Sequence, residues 1–135
     1  MAIKEIMAEF KELAQKVPNA KLCLEIIDYL RSEKQKDLEF ITYRSLQIAI
    51  GNDVRQEDLI AAVNLLSTHR NALLNPHMMF VEVDGDEFEI SADEYQTALN
   101  DGFLVHPETG DLVSDFNNRL FPFFTLGEIL TEEIN

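Results

Sequence analysis

Residues 39–91 read EFITYRSLQIAIGNDVRQEDLIAAVNLLSTHRNALLNPHMMFVEVDGDEFEIS. Glu39-Phe40-Ile41-Thr42 suits a short strand, and the Thr42 hydroxyl is placed to cap a helix behind it. Tyr43, Leu46 and Ile50 recur on one face of that helix, and Gly51 follows where a C-terminal left-handed residue is wanted. Asp53 and Gln56 have capping-box spacing, and Leu59, Ala62, Val63 and Leu66 form an inward stripe. Together they predict a second helix from Val54 to about His69. Pro76 then blocks helix. His77 to Val83 and Asp86 to Ser91 flank Asp84-Gly85, a strong hairpin signal because both turn residues tolerate positive φ. A two-residue turn pairs Val83 with Asp86, Glu82 with Glu87, Val81 with Phe88 and Met79 with Ile90. One face then carries Met79, Val81, Val83, Phe88 and Ile90 towards the helices, and the other sets Glu82, Glu87 and Glu89 around Phe80.

Upstream, Ile3, Ile6, Phe10, Leu13 and Val17 draw a narrow apolar seam along a first helix that Pro18 and Asn19 end. The seam is either a core-facing stripe or a homodimer contact. A second helix is expected from about Ala20 to Lys34, with Leu22, Cys23, Ile26, Ile27 and Leu30 inward; Cys23 reads as a small core residue, since no neighbour in sequence would lower its pKa. Ser32 to Asp37 is a polar connector. Downstream, Ser91 and Glu94 form a capping box for a short helix that stops near Asn100, ahead of Gly102. Phe103 to His106 and Leu112-Val113 flank Pro107-Glu-Thr-Gly110 as a second hairpin. Thr125 and Glu128 have the spacing of a third capping box, weakened by Gly127, before a last short helix. Phe103, Phe116, Phe121, Phe123 and Phe124 are five of the nine phenylalanines, and they form either a satellite core or an exposed aromatic patch.

A chain of 135 residues is read as a single domain, 1–135, with an N-terminal helix in 1–18, a core in 19–91 and an acidic, Phe-rich extension in 92–135. The single cysteine cannot form an internal disulfide, and neither a signal peptide nor a membrane-length apolar run is seen, so a cytoplasmic location is expected. The net charge of −14 is uneven: residues 1–76 hold 10 Lys and Arg against 11 Asp and Glu, while residues 77–135 hold Arg119 against 14 acids. The acidic half either keeps the protein in solution or meets a basic protein surface.

The order of strand, two helices meeting at a glycine, and hairpin resembles a winged helix-turn-helix over about residues 20–91. The expected fold class is α+β: a winged helix-turn-helix core with an extra N-terminal helix and an acidic C-terminal helix/hairpin extension. The resemblance implies DNA binding, which the contact residues oppose. Glu57, Ala61, Asn64 and Thr68 would face outward without a Lys or Arg among them, and the wing would bring Glu82, Glu87 and Glu89 to the phosphates. Arg55 and Arg70 lie near the helix ends on the core side of the wheel. The alternative of a DNA-binding transcription regulator using the 54–70 helix therefore rests on Arg55, Asn64 and Arg70. Asp84-Gly-Asp86-Glu87 lacks the spacing of a calcium loop, no catalytic motif occurs, and His69, His77 and His106 are scattered, so no metal, cofactor or enzymatic activity is expected. The expected function is a non-catalytic protein–protein interaction module: an adaptor, a regulatory subunit or an inhibitor of a basic protein such as a nuclease. In it Phe80 is the apolar anchor, and Glu82, Glu87 and Glu89 meet the partner's cations.

Overall fold

The computed structural model describes residues 2–134, which form a mixed helix and sheet structure. Its elements are α1 (Ile3–Leu13), α2 (Pro18–Ser32), α3 (Tyr43–Ile50), α4 (Gln56–Thr68), β1 (Leu74–Val81), β2 (Glu87–Ile90), α5 (Ala92–Asp101), β3 (Leu104–Val105), β4 (Leu112–Val113), β5 (Leu120–Leu126) and α6 (Glu128–Glu133). Strand order is β2-β1-β5 in one sheet, and β3 pairs with β4 in a second. The chain divides into two compact units, Met1–Asn75 with Phe124–Asn135, and Pro76–Phe123. In chain order the second is an insertion into the first. The expected boundary after Ser91 falls inside the inserted unit, because Ile90 before it and Ala98 after it share one core.

In the first unit the helices bury the stripes that their periodicity requires. Leu59, Ala62, Val63 and Leu66 of α4 are buried, and α2, its main packing partner, buries Cys23, Ile26, Ile27 and Leu30. Ile3, Ile6 and Phe10 of α1 belong to the same core, so those seam side chains are used within the chain, and Leu13 alone of the seam is an exposed large hydrophobe. Pro18 does not end α1; it opens α2, where its missing N–H is no loss and its fixed φ suits the first helical position. Thr42 caps α3 as expected, in a reciprocal box with Ser45. The next two expectations fail for one reason. The Gln47 amide donates to the carbonyls of Gly51 (2.6 Å) and Val54 (3.0 Å), drawing the turn out, so Gly51 takes φ 117° and ψ 147°, outside the left-handed helical region. Asp53 consequently caps nothing, and α4 starts at Gln56 with Arg55 as its N-cap.

The Glu39–Thr42 segment is reduced to one bridge, in which Ile41 and Phe124 exchange backbone hydrogen bonds of 2.9 and 2.7 Å. Thr125, expected to cap the last helix, lies instead within β5, and Gly127 takes the N-cap of α6. Gly127 donates its N–H to Leu73 O at 2.9 Å, and a Cβ there would stand 1.7 Å from Ala72 O, so close backbone approach requires glycine.

In the inserted unit the hairpin is shifted by one residue from its expected register. The pairs are Met78 with Ile90, Met79 with Glu89, Phe80 with Phe88, and Val81 with Glu87. The turn has three residues, Val83-Asp84-Gly85: Gly85 donates to Glu82 O (3.0 Å), Glu82 donates to Asp86 O (2.8 Å), and Gly85 absorbs a φ of 96°. A type I turn closed by a positive-φ glycine accounts for the extra residue. Because side chains alternate, one residue of slip exchanges the strand's partners across the faces. Phe80, Ile90, Ala98, Leu104 and Phe116 form this unit's buried core, with Phe88, Tyr95, Val113 and Leu120 packed on it. The Ser91–Glu94 capping box and the left-handed Gly102 bound α5 as expected. The expected Phe cluster is divided: Phe116 belongs to this core, Phe124 to that of the first unit, and Phe121 is exposed.

Candidate interaction surface

The hairpin register decides which of the expected contact residues face solvent. Phe80 is fully buried, not an exposed anchor, with its ring edge-on to His106 at 5.9 Å. Glu82 is directed to the same ring, its carboxylate facing His106 Nε2 within hydrogen-bond reach. His106 Nδ1 already accepts the backbone N–H groups of Glu108 (3.1 Å) and Thr109 (3.2 Å), which leaves Nε2 as the nitrogen that donates to the carboxylate. Phe88 closes the ring's other flank at 5.1 Å. Phe80 and Glu82 thus hold the His106–Asp111 turn and are not free for a partner.

Glu87 and Glu89 remain exposed on the opposite face. Glu89 meets His77 Nδ1 at 2.9 Å, and the His77 ring stacks on Phe123 with centroids 4.8 Å apart. The repulsive Glu82–Glu87 cross-strand pair does not occur, because Glu87 stands opposite Val81. Asp84 accepts the Asp86 N–H at 3.0 Å, so its carboxylate serves the turn, and among the described residues no three His, Cys, Asp or Glu side chains converge as a metal site.

Each unit carries more than one groove. In the first unit a shallow groove of about 600 Å³ runs between α3 and α4, past Tyr43, Arg44, Gln47, Ile48, Asn52 and Gln56. In the inserted unit a groove of about 240 Å³ lies between α5 and β3. Its floor is Ala98, Leu104, Phe103 and Val105, and Asp93, Glu94 and Asp101 stand on its rim. Sequence reasoning missed this second groove. Its legible trace is the alternation in two short strands, where Leu104 pairs with Val113 and Val105 with Leu112.

Of the residues that a nucleic acid would meet, Arg55 is exposed rather than on the core side, since it precedes the helix instead of lying on its wheel. It is held by Glu57, with Nε 3.0 Å from Oε1, and Asp58 lies 3.9 Å away. The hydrogen bond from Arg55 lowers the Glu57 pKa from its usual value. Arg70 is bonded to Glu9 at 2.9 Å. Asn64 is exposed on α4, and its carbonyl accepts the Thr68 hydroxyl at 2.7 Å. Arg55 and Arg70 are thus each paired with a glutamate of the chain, and Asn64 lies on α4 between them in sequence.

Compared with known proteins, the chain matches no family model, no curated protein and no solved structure.

Proposed function

We propose that this chain is a non-catalytic protein–protein interaction module, an adaptor, regulatory subunit or inhibitor, whose inserted unit Pro76–Phe123 meets a basic protein surface. The observation that carries this reading is the charge of that unit: it holds eleven Asp and Glu against Arg119 as its sole Lys or Arg. Arg119 is itself bonded to Asp115 at 3.1 Å. Such an excess attracts cations and accelerates encounter with a basic partner. A non-catalytic role is supported by the histidines. His106 has both ring nitrogens engaged within the chain, and so does His69, through Asn71 N–H at Nδ1 (3.1 Å) and Glu9 at Nε2 (3.1 Å).

The framework we propose is a winged helix in which α2, Ile41, α3, α4, β1 and β5 take successive places. Supporting it are the Ile41–Phe124 bridge and the β2-β1-β5 strand order; in this reading β5 is the returning strand of the wing and β2 an added edge. The inserted unit then comprises most of β1, the first part of β5 and the chain that joins them. The DNA-regulator reading, which rested on Arg55, Asn64 and Arg70, gains one further feature, Arg44 in the α3–α4 groove. It requires duplex binding that weakens steeply with salt and depends on Arg44 or Arg55.

The test is affinity capture from native extract, with and without nuclease, using the chain and its Glu87→Lys/Glu89→Lys variant. One stoichiometric protein retained in both halves and lost by the variant is the expected result. Partners that vanish with nuclease would replace this reading with nucleic-acid binding.

A further inference from the structure

We propose that the α5–β3 groove seats one large apolar side chain, presented between lysines or arginines by a segment of a partner protein. This deepens the reading of Pro76–Phe123 as the acidic contact unit and rests on it. The groove's 240 Å³ is below the roughly 300–1,000 Å³ typical of small-molecule pockets, and its apolar floor suits a single side chain. Val105 extends that floor outward. It is 51% exposed, and its cross-strand partner Leu112 is 65% exposed. Two apolar side chains directly opposite each other on the solvent face form a platform beside the groove, where alternation would ordinarily put polar residues.

The rim selects the occupant. An apolar segment without cations would cover Asp93, Glu94 and Asp101 with no compensating charge, whereas flanking ammonium or guanidinium groups compensate all three. The unit cannot supply that compensation itself, since Arg119 is bonded to Asp115. Apolar contact then fixes where the segment sits, and the rim fixes its sign.

The test uses the full chain and two fluorescein-labelled peptides, Lys-Lys-Ala-Phe-Ala-Lys-Lys and the same peptide with alanine for phenylalanine, in low salt. Burying the phenylalanine is expected to tighten binding by about tenfold or more. That preference should disappear in Val105→Lys and Leu112→Lys, both at exposed positions, with the fold checked by circular dichroism. Methyl resonances of Leu104 and Val105 should shift on titration. Asp93→Asn combined with Glu94→Gln, which retains the helix cap, should weaken both peptides. Equal, salt-sensitive binding of the two peptides would overturn the groove and leave the acidic-unit reading standing. Failure of both to bind at low salt would overturn the groove and count against that reading too. Self-association abolished by Val105→Lys would show that a second copy of the chain, not a basic segment, is the occupant.

Discussion

In the unit built from Met1–Asn75 and Phe124–Asn135, Arg31, Arg55 and Arg70 each hold a glutamate of the same unit: Glu133, Glu57 and Glu9. In Pro76–Phe123, Arg119 takes Asp115, Glu89 meets His77 and Glu82 meets His106, and no other Lys or Arg in that unit is there for the remaining carboxylates. The cores differ in the same direction. One is a large helical assembly spanning α1 to α6, and the other is five buried side chains under a hairpin and one helix. The first unit is closer to balance, with 10 Lys and Arg against 14 Asp and Glu, and draws on ample burial. The second has little burial and unbalanced charge, so its surface is the one with most to gain from an external cation.

Truncating each core separates the two most sharply. Phe80→Ala should cost about 3–5 kcal/mol and Leu66→Ala about 2–5 kcal/mol, since both side chains are fully buried. Site-resolved amide exchange is the measurement. Phe80→Ala should remove protection in β2 and α5 while α2 and α4 keep theirs, and Leu66→Ala should do the converse. Equal loss throughout would abolish the distinction between the units.

What was legible in the sequence follows the range of the interactions. Thr42, Ser91, Glu94 and Gly102 announced their helix ends because a cap is made by residues three or four apart. The hairpin's existence was legible in Asp84-Gly85, but its register depended on whether Val83 joined the turn, and that choice buried Phe80 and turned Glu82 inward. β5 was hidden because Pro122 argues against a strand and because Phe124 finds its partner, Ile41, far away in sequence. The α5–β3 groove was legible only in its parts, a capped helix and a short paired strand, because the docking of one on the other has no local signature.

His106 and His69 are held alike, one in each unit, which allows a matched test. His106→Phe keeps an aromatic ring beside Phe80 and Phe88 but leaves Glu82 and the N–H groups of Glu108 and Thr109 without their partner. A loss of about 1–3 kcal/mol is expected, with faster exchange at those two amides. His69→Phe should act on α1 and the end of α4 instead, through Glu9 and Asn71. If the two variants perturb the same amides, the histidines are not separate fasteners.

The first unit should also have an alkaline weakness. Burial pushes the Cys23 thiol up to about 12 from 9.0, while its Sγ lies 3.3 Å from Ala62 O. The raised value means that stability is intact below pH 9.0, where neither state ionises, and falls as pH rises towards 12 because only the unfolded chain ionises. The slope is about 1.4 kcal/mol per pH unit in that window. Cys23→Ala should flatten it, although it opens a small cavity that lowers stability at all pH values. Thiol reagents at pH 8 should label Cys23 only as fast as the unit opens.

The smallest effect is expected from salt, and its sign should differ between the units. The Glu9 carboxyl is held below its usual 4.5, first by the hydrogen bond from His69 and further by Arg70. A lowered pKa gives stability that is present above pH 4.5 and lost as pH falls through the folded value, so Glu9→Gln should flatten the acid limb of the first unit's unfolding profile. Sodium chloride at neutral pH should weaken the same contact slightly, because the side chain is 40% accessible and screened. In Pro76–Phe123 salt should instead raise protection, since eleven acids against one arginine repel one another and screening relieves that repulsion. Amide exchange in low and high salt reads both signs in one sample. A loss of protection in β2 and α5 with added salt would mean that those carboxylates are already compensated within the chain, and the case for an external basic partner would fall with them.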